Sequence, residues 1–212
     1  MSSVMPQSPA SLDDLAIVRP DCRLILGSSS PYRKALLDRL GLPFKVVAPQ
    51  VDEAVKTGET PAKLASRLAQ AKALAVARGH PNAIVIGSDQ VADLDGQALG
   101  KPGTHARAME QLLEMSGRTV VFHTAVCLIR LDSNFKLIEI AQARVRFRQL
   151  ARTEIDDYLR SEQPYDCAGS AKSEGLGIAL LDSIESDDPT TLIGLPLIRT
   201  CRMLRMAGVK IP

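Results

Sequence analysis

This sequence has few aromatic residues and a small net charge. Phenylalanine, tyrosine and tryptophan together make up 3% of its 212 residues, tryptophan is absent, and the formal net charge is only +2. Proteins that bind nucleic acid present basic stripes and, for single strands, aromatic side chains on which bases stack. The sequence therefore disfavours a nucleic-acid-binding function.

Several chemical signatures are also missing. No two cysteines have C-x-x-C spacing, and the three histidines lack the spacing of zinc ligands. The sequence contains neither the G-x-x-x-x-G-K-[ST] motif of P-loop NTPases nor the G-x-S-x-G elbow of serine hydrolases. The cysteines lie far apart, which is typical of reduced thiols in a cytosolic protein: Cys22, Cys127, Cys167 and Cys201.

Long hydrophobic runs are lacking as well. No apolar run reaches transmembrane length, and the first residues show no basic region followed by an apolar one. With 45% hydrophobic residues, the chain can nevertheless bury one substantial core. We expect one soluble, cytoplasmic domain over residues 21–212 that contacts no membrane. Residues 1–20, rich in serine, proline and aspartate, are predicted to form a poorly ordered extension.

The most informative stretch covers residues 24–34. An apolar run ends at one glycine and three serines, and Pro31 then begins an amphipathic segment. This order predicts a strand, a tight loop and a helix, because proline fits the first helical turn. Backbone N–H groups and serine hydroxyls at a helix N-terminus suit a phosphate, and Arg33 adds a planar fork of donors. The alternative is an ordinary turn with serine caps.

The rest of the chain predicts a single-domain α/β fold. The apolar run 83–87 is typical of a strand covered on both faces, and residues 118–130 and 135–147 predict a long hairpin. A capped helix is predicted to start at residues 153–156. Together these patterns predict a mixed, twisted sheet flanked by helices. The last helix is expected to bury Leu197, Ile198, Cys201 and Leu204.

Polar residues follow three of the predicted strands. Residues 28–33, the pair Asp52-Glu53 and residues 88–90 each come after an apolar strand. Clefts in open α/β sheets form at the carboxyl ends of strands, so these side chains are expected to converge.

Two lysines complete a possible metal–polyphosphate site. Lys72 lies in an alanine-rich helix and Lys101 in a loop. Carboxylates such as Glu53 and Asp89 hold Mg²⁺ or Mn²⁺, while Arg33 and the lysines offset phosphoryl charge. Each residue has an alternative interpretation: a solvated helix position for Lys72, a helix cap for Asp89 and a surface loop for Lys101.

Eight motifs occur in the order seen in Maf-like proteins, which the chain resembles from about residue 23 to residue 204. They are Leu26-Gly27-Ser28-Ser29-Ser30-Pro31-Tyr32-Arg33, Val51-Asp52-Glu53, Ala71-Lys72-Ala73, Gly87-Ser88-Asp89, Gly100-Lys101-Pro102, Ser116-Gly117-Arg118, Ala168-Gly169-Ser170 and Gly194-Leu195-Pro196. So many motifs in one order make the resemblance highly specific.

The resemblance implies a function. Maf-like proteins are cytoplasmic nucleoside triphosphate pyrophosphatases that cleave between the α- and β-phosphates with a divalent metal. Their α/β fold is related to that of the inosine-triphosphate pyrophosphatases, and homodimers are typical. By position, Asp89 is implied as the proton acceptor that activates water, and Glu53 and Asp89 as metal ligands. The remaining implied phosphate-binding residues are Ser28, Arg33, Lys72 and Lys101.

Three further positions concern the nucleotide base. Where the pyrimidine-preferring branch usually has arginine, threonine and glutamine, this chain has Tyr32, Gln90 and Glu174. It resembles instead the YceF branch, whose implied substrate is 7-methyl-GTP and whose best-known pattern has tryptophan at the first position. An aromatic face attracts a cationic base. A glutamate accepts hydrogen bonds from guanine while complementing its charge.

We therefore expect Tyr32 to stack on the base, Glu174 to bind its edge and Gln90 to act as a secondary selector. Two alternatives stay open. One is the same chemistry on UTP or dTTP. The other is a nucleotide-sensing protein linked to cell division, without hydrolysis.

Overall fold

The computed structural model describes residues 23–211, so the extension predicted over residues 1–20 lies outside the described residues. The strands are β1 (Leu24–Gly27), β2 (Phe44–Val46), β3 (Ile84–Leu94), β4 (Gln97–Leu99), β5 (Thr119–Arg130), β6 (Phe135–Phe147) and β7 (Leu181–Glu185). The helices are α1 (Pro31–Asp38), α2 (Pro61–Ala77), α3 (His105–Met115), α4 (Arg152–Glu162) and α5 (Leu197–Met206). None of the described helices is long and apolar enough to cross a membrane.

One mixed sheet organises these elements. Its strand order is β2-β1-β3-β5-β6-β7, and β4 pairs with β3 beside this path. Strand β1 is parallel to both β2 and β3, whereas all other pairings are antiparallel. The predicted α/β class, a mixed sheet flanked by helices in one domain, is confirmed.

Strand β3 is longer than the sequence predicted. The apolar run ends at Gly87, where the parallel pairing with β1 also stops, but antiparallel pairing with β5 continues as far as Asp93. Ser88, Asp89 and Gln90 therefore lie inside the strand rather than after it, which corrects the prediction. Because side chains alternate along a strand, Asp89 lies on one face and its two neighbours on the other.

Buried apolar clusters attach the helices to the sheet. Helix α2 covers one face, above Ile25, Val85 and Ala125. Helices α1 and α5 cover the opposite face of β1 and β3. Helices α3 and α4 pack with Phe122 and Phe147 on the far half of β5 and β6. The described chain thus encloses the central strand β3 on both faces.

Two helix predictions are wrong in detail. Thr153 lies inside α4, whose N-cap is Ala151, and the Ala151 N–H donates to Glu154 Oε2 at 2.8 Å. Helix α5 leaves Ile198 58% exposed and buries Thr200 instead. This rotation is tolerated because the Thr200 hydroxyl donates to a backbone carbonyl of the preceding turn.

Candidate active site

Nine residues that the sequence assigns to catalysis, substrate binding or a metal line one cavity of about 580 Å³. Its volume falls within the usual range of small-molecule sites. The walls come mainly from the β1–α1 loop, the start of α1, α2, β3 and the loops that follow β2, β4, α4 and β7. The nine residues are Ser28, Tyr32, Arg33, Glu53, Lys72, Asp89, Gln90, Lys101 and Glu174.

A close approach of α2 to β3 brings Lys72 into this cavity. A Cβ added to Gly87 would lie 2.3 Å from the Ala69 carbonyl oxygen and 2.5 Å from the Ala73 nitrogen, so only glycine fits under the helix. Lys72 lies on this helix and is buried. The solvated position considered for it is therefore wrong.

Lys72 joins two carboxylates. Its Nζ lies 2.6 Å from Asp89 Oδ1 and 2.7 Å from Glu53 Oε1. Asp89 is buried within β3, so the helix cap considered for it is also wrong. The half-exposed Glu53 reaches in from the loop after β2, whereas its neighbour Asp52 does not line the cavity. We call Arg33, Glu53, Lys72 and Asp89 the charged cluster.

The two carboxylates of the charged cluster titrate differently. Burial raises the pKa of Asp89, although Lys72 and Arg33 partly offset this effect. The pKa of Glu53 is lowered overall. Burial acts to raise it, but the hydrogen bond and charge of Lys72, together with the charges of Lys101 and Arg33, outweigh burial. A carboxylate with a raised pKa is the better proton acceptor of the two.

Arg33 is fixed at the start of α1. Its Nε–H donates to the Gly194 carbonyl at 2.8 Å, and its Nη1 lies 3.5 Å from Ser28 Oγ. The Ser30 hydroxyl caps α1 by accepting from the Arg33 N–H. The loop therefore contains both the serine cap and the arginine that could bind a phosphate, so the two interpretations of this stretch do not exclude each other. Burial lowers the pKa of the Arg33 guanidinium, against the effect of Asp89 and Glu53, yet arginine stays protonated in proteins.

Gln90 points its amide nitrogen at protein acceptors. Nε2 lies 2.9 Å from Thr124 Oγ1 and from the carbonyl oxygens of Thr191 and Leu192. Carbonyl oxygens only accept, so the nitrogen must face them and the position of the amide is fixed. Its Oε1 is then the atom that can act as an acceptor toward a ligand.

At the other end of the cavity, Tyr32 and the Glu174 loop (residues 171–175) lie near each other. Lys172 Nζ lies 5.5 Å from the Tyr32 ring centroid and forms an ion pair with Glu162 at 2.9 Å. Glu162 Oε2 also accepts from the Leu176 N–H at 2.8 Å. Glu162 therefore holds the loop that carries Glu174, a role that sequence reasoning missed.

Comparison with known proteins identifies the family. A family model described as "Maf-like protein" matches residues 23–207. The chain belongs to the Maf family.

Relatives within this family cover nearly the whole chain. A protein of Albidiferax ferrireducens is 63% identical over 189 residues, which is 89% of this chain and 95% of the relative. One from a Polaromonas species is 61% identical over 209 residues, 99% of this chain and 95% of the relative. One from Burkholderia orbicola is 59% identical over 194 residues, 90% and 92% of the two chains. Each is named 7-methyl-GTP pyrophosphatase.

Solved structures give a more distant likeness. The chain is similar to a HAM1 protein from Coxiella burnetii, with 19% identity and a TM-score of 0.42, over 59% of this chain and 73% of that one. A Ham1 protein from Staphylococcus aureus gives 17% identity and a TM-score of 0.43, over 59% and 71% of the two chains.

The donors available for a metal are few. Among residues 23–211, no group of three or more histidine, cysteine, aspartate or glutamate side chains is arranged to hold a metal ion. Glu53 and Asp89 are the two carboxylates of the charged cluster, and both contact Lys72. Mg²⁺ is commonly held by one or two carboxylates together with substrate phosphates, so this donor set fits a metal that arrives with a nucleotide.

Proposed function

We propose that this Maf-family protein hydrolyses 7-methyl-GTP to 7-methyl-GMP and diphosphate. The observation that carries the proposal is the charged cluster, in which a buried lysine joins two carboxylates beside a fixed arginine inside one cavity. The names of the relatives, at about 60% identity over most of the chain, support the same substrate.

Asp89 is the residue best suited to accept a proton from water. Its raised pKa makes it a stronger base than an ordinary aspartate, and Lys72 holds its carboxylate in place at 2.6 Å. The water oxygen attacks the α-phosphorus, and the bond from that phosphorus to the oxygen bridging to the β-phosphate breaks. The proton passes to Asp89 and diphosphate leaves with the bond's electron pair.

Cationic side chains stabilise the charge that develops on the leaving group. Arg33, Lys72 and Lys101 line the same cavity, and Ser28 Oγ lies beside the Arg33 guanidinium. Preorganised cations in a partly dehydrated site stabilise phosphoryl charge more than water does. Mg²⁺ or Mn²⁺, held by Glu53 and Asp89 together with phosphate oxygens, would add charge neutralisation.

The base is proposed to lie at Tyr32 and the Glu174 loop. Tyr32 lines the cavity, and a flat cation can stack on an aromatic ring of this kind. Glu174 lines the same cavity and can accept from the N1–H and the exocyclic amine of guanine. Gln90, with its amide fixed, contributes a single acceptor.

The decisive experiment compares substrates. Pyrophosphate release is measured with 7-methyl-GTP, GTP, UTP, dTTP and CTP, each with Mg²⁺ or with EDTA. We expect strong, metal-dependent turnover of 7-methyl-GTP. Preference for UTP or dTTP would confirm that the protein is a pyrophosphatase but would contradict 7-methyl-GTP as its substrate. Binding of nucleotides without turnover would favour the nucleotide-sensing alternative.

Two further properties belong to the proposal. Family resemblance favours a homodimer, which sedimentation equilibrium of the purified protein tests. It also favours a cytoplasmic enzyme, which fractionation of the source cells tests.

A further inference from the structure

We infer that Asp188 is a positioning residue that orients Arg33, Ser88 and Gln90 through the backbone carbonyls of one loop. We call residues 188–197 the carbonyl loop. The inference rests on the proposed function only for its activity measurements. Asp188 itself is not among the residues that line the cavity.

Asp188 is a fully buried acidic residue with several donors around it. Its Oδ1 accepts from the Thr190 N–H at 3.2 Å and lies 2.8 Å from Thr190 Oγ1. Its Oδ2 accepts from the N–H groups of Ile198 and Arg199 at 2.8 and 3.3 Å. It therefore ties the start of the carbonyl loop to the first turn of α5, where the helix dipole favours a carboxylate.

Thr190 contacts both ends of the same loop through its hydroxyl. Its buried Oγ1 lies 2.8 Å from Asp188 Oδ1, from the Leu195 carbonyl oxygen and from the Leu197 nitrogen. The side chains of Asp188 and Thr190 thus fix both ends of the five-residue stretch between Thr190 and Pro196.

That stretch presents three carbonyl oxygens to the side chains of Arg33, Ser88 and Gln90. The Thr191 and Leu192 carbonyls accept from the Gln90 amide, each at 2.9 Å. The Gly194 carbonyl accepts from Arg33 Nε at 2.8 Å and from Ser88 Oγ at 3.1 Å.

The carbonyl loop holds an unusual conformation to make these contacts. Gly194 has φ +121°, a backbone conformation that L side chains rarely adopt. Within the described part of the chain, the buried Thr191 hydroxyl has no hydrogen-bond partner, although the Thr191 carbonyl accepts from both Gln90 and Thr124. An unsatisfied buried hydroxyl is unfavourable. In this conformation the carbonyl loop turns its carbonyls toward Gln90, Arg33 and Ser88 and leaves the Thr191 hydroxyl without a partner.

A purely structural role for Asp188 is the competing explanation, since buried helix caps also stabilise proteins. Thr190→Val separates the two, because valine matches threonine in shape and replaces only the hydroxyl with a methyl group. Thr190→Ser restores the hydroxyl and serves as the conservative variant. Asp188→Asn tests the carboxylate directly, and Asp187→Asn, an exposed neighbour paired with Arg199, is the control.

The activity measurement uses folded protein well below its melting temperature. We expect Thr190→Val and Asp188→Asn to lower kcat for 7-methyl-GTP by about tenfold to a hundredfold, because small displacements of catalytic groups have effects of this size. We expect Thr190→Ser and Asp187→Asn to stay within about twofold of the parent. A lowered melting temperature with unchanged kcat in Thr190→Val would overturn the inference.

A second measurement does not depend on turnover. The Arg33 Nε–H signal, assigned with Arg33→Lys, is followed by ¹⁵N–¹H NMR in the protein without nucleotide. We expect this signal to exchange slowly with water in the parent and in Thr190→Ser, and to exchange faster in Thr190→Val. An unchanged signal would overturn the positioning role. If the parent protein cleaves no nucleotide, the proposed function fails and this measurement still decides the inference.

Discussion

The charged cluster and the Glu174 loop are held in place by different kinds of structure. Three members of the charged cluster lie on regular elements: Arg33 on α1, Lys72 on α2 and Asp89 on β3. Glu174 lies on a loop that is held by side-chain contacts from Glu162 and Tyr158. Groups on helices and strands keep their geometry better than groups on loops. The positions of Arg33, Lys72 and Asp89 are therefore expected to be rigid, and the contact that Glu174 makes with the base to be adjustable.

The largest expected effect comes from Asp89→Asn in the charged cluster. Removing the proton acceptor should lower kcat by about 10²- to 10⁴-fold for every nucleotide. Binding should persist, because Glu53 and the cations remain. Steady-state kinetics and calorimetric titration with 7-methyl-GTP measure the two quantities. Turnover close to that of the parent would remove Asp89 from its assigned role.

Gly87→Ala tests whether the rigidity of α2 matters. The added Cβ would meet the Ala69 carbonyl at 2.3 Å, so the helix that carries Lys72 must shift. We expect a loss of at least about 1–3 kcal/mol in the free energy of unfolding, together with lower turnover of all nucleotides. Urea unfolding and kinetics check both. Gly79→Ala, whose added Cβ meets only a carbonyl at 3.7 Å, is the control and should leave turnover unchanged.

Glu174→Gln should change selection without changing chemistry. The amide loses the negative charge and one acceptor, so the ratio of kcat/KM for 7-methyl-GTP to that for UTP should fall by about tenfold, as for the loss of one charge-assisted hydrogen bond. Turnover of UTP should stay within about twofold of the parent. Competition assays with both nucleotides measure the ratio directly. An unchanged ratio would move base recognition away from Glu174.

The same contrast separates what the sequence could predict from what it could not. The convergence of Arg33, Glu53 and Asp89 followed from an apolar strand pattern and the rule for strand ends, whereas the place of Lys72 in the site followed from the family resemblance. The placement of Asp89 inside β3 did not follow, because pairing with β5 is a contact between distant parts of the chain. Glu162 was missed for the same reason, since only the fold shows that it contacts the Glu174 loop.

A smaller effect is expected on the acid side of the pH–rate profile, where the pKa of Asp89 in the charged cluster determines the pH at which activity is lost. Because burial raises the pKa of Asp89, the midpoint of the acid-side fall in kcat/KM should lie above about 3.9, the ordinary aspartate pKa. Lys72 lowers this pKa, so in Lys72→Met the fall should begin at a still higher pH. The shift should be the same for 7-methyl-GTP and GTP. A shift confined to 7-methyl-GTP would assign the titration to the base instead.

The smallest effect is expected at Tyr32, where 7-methyl-GTP and GTP differ at the base by one methyl group and its positive charge. A comparison of these two substrates therefore isolates the cation–π contribution, because ring stacking is common to both. The ratio of their kcat/KM values should stay within about twofold in Tyr32→Phe and fall about fivefold in Tyr32→Leu. It should rise in Tyr32→Trp, since tryptophan attracts cations most strongly. A ratio that does not follow the ring would indicate that Tyr32 supports the base without sensing its charge.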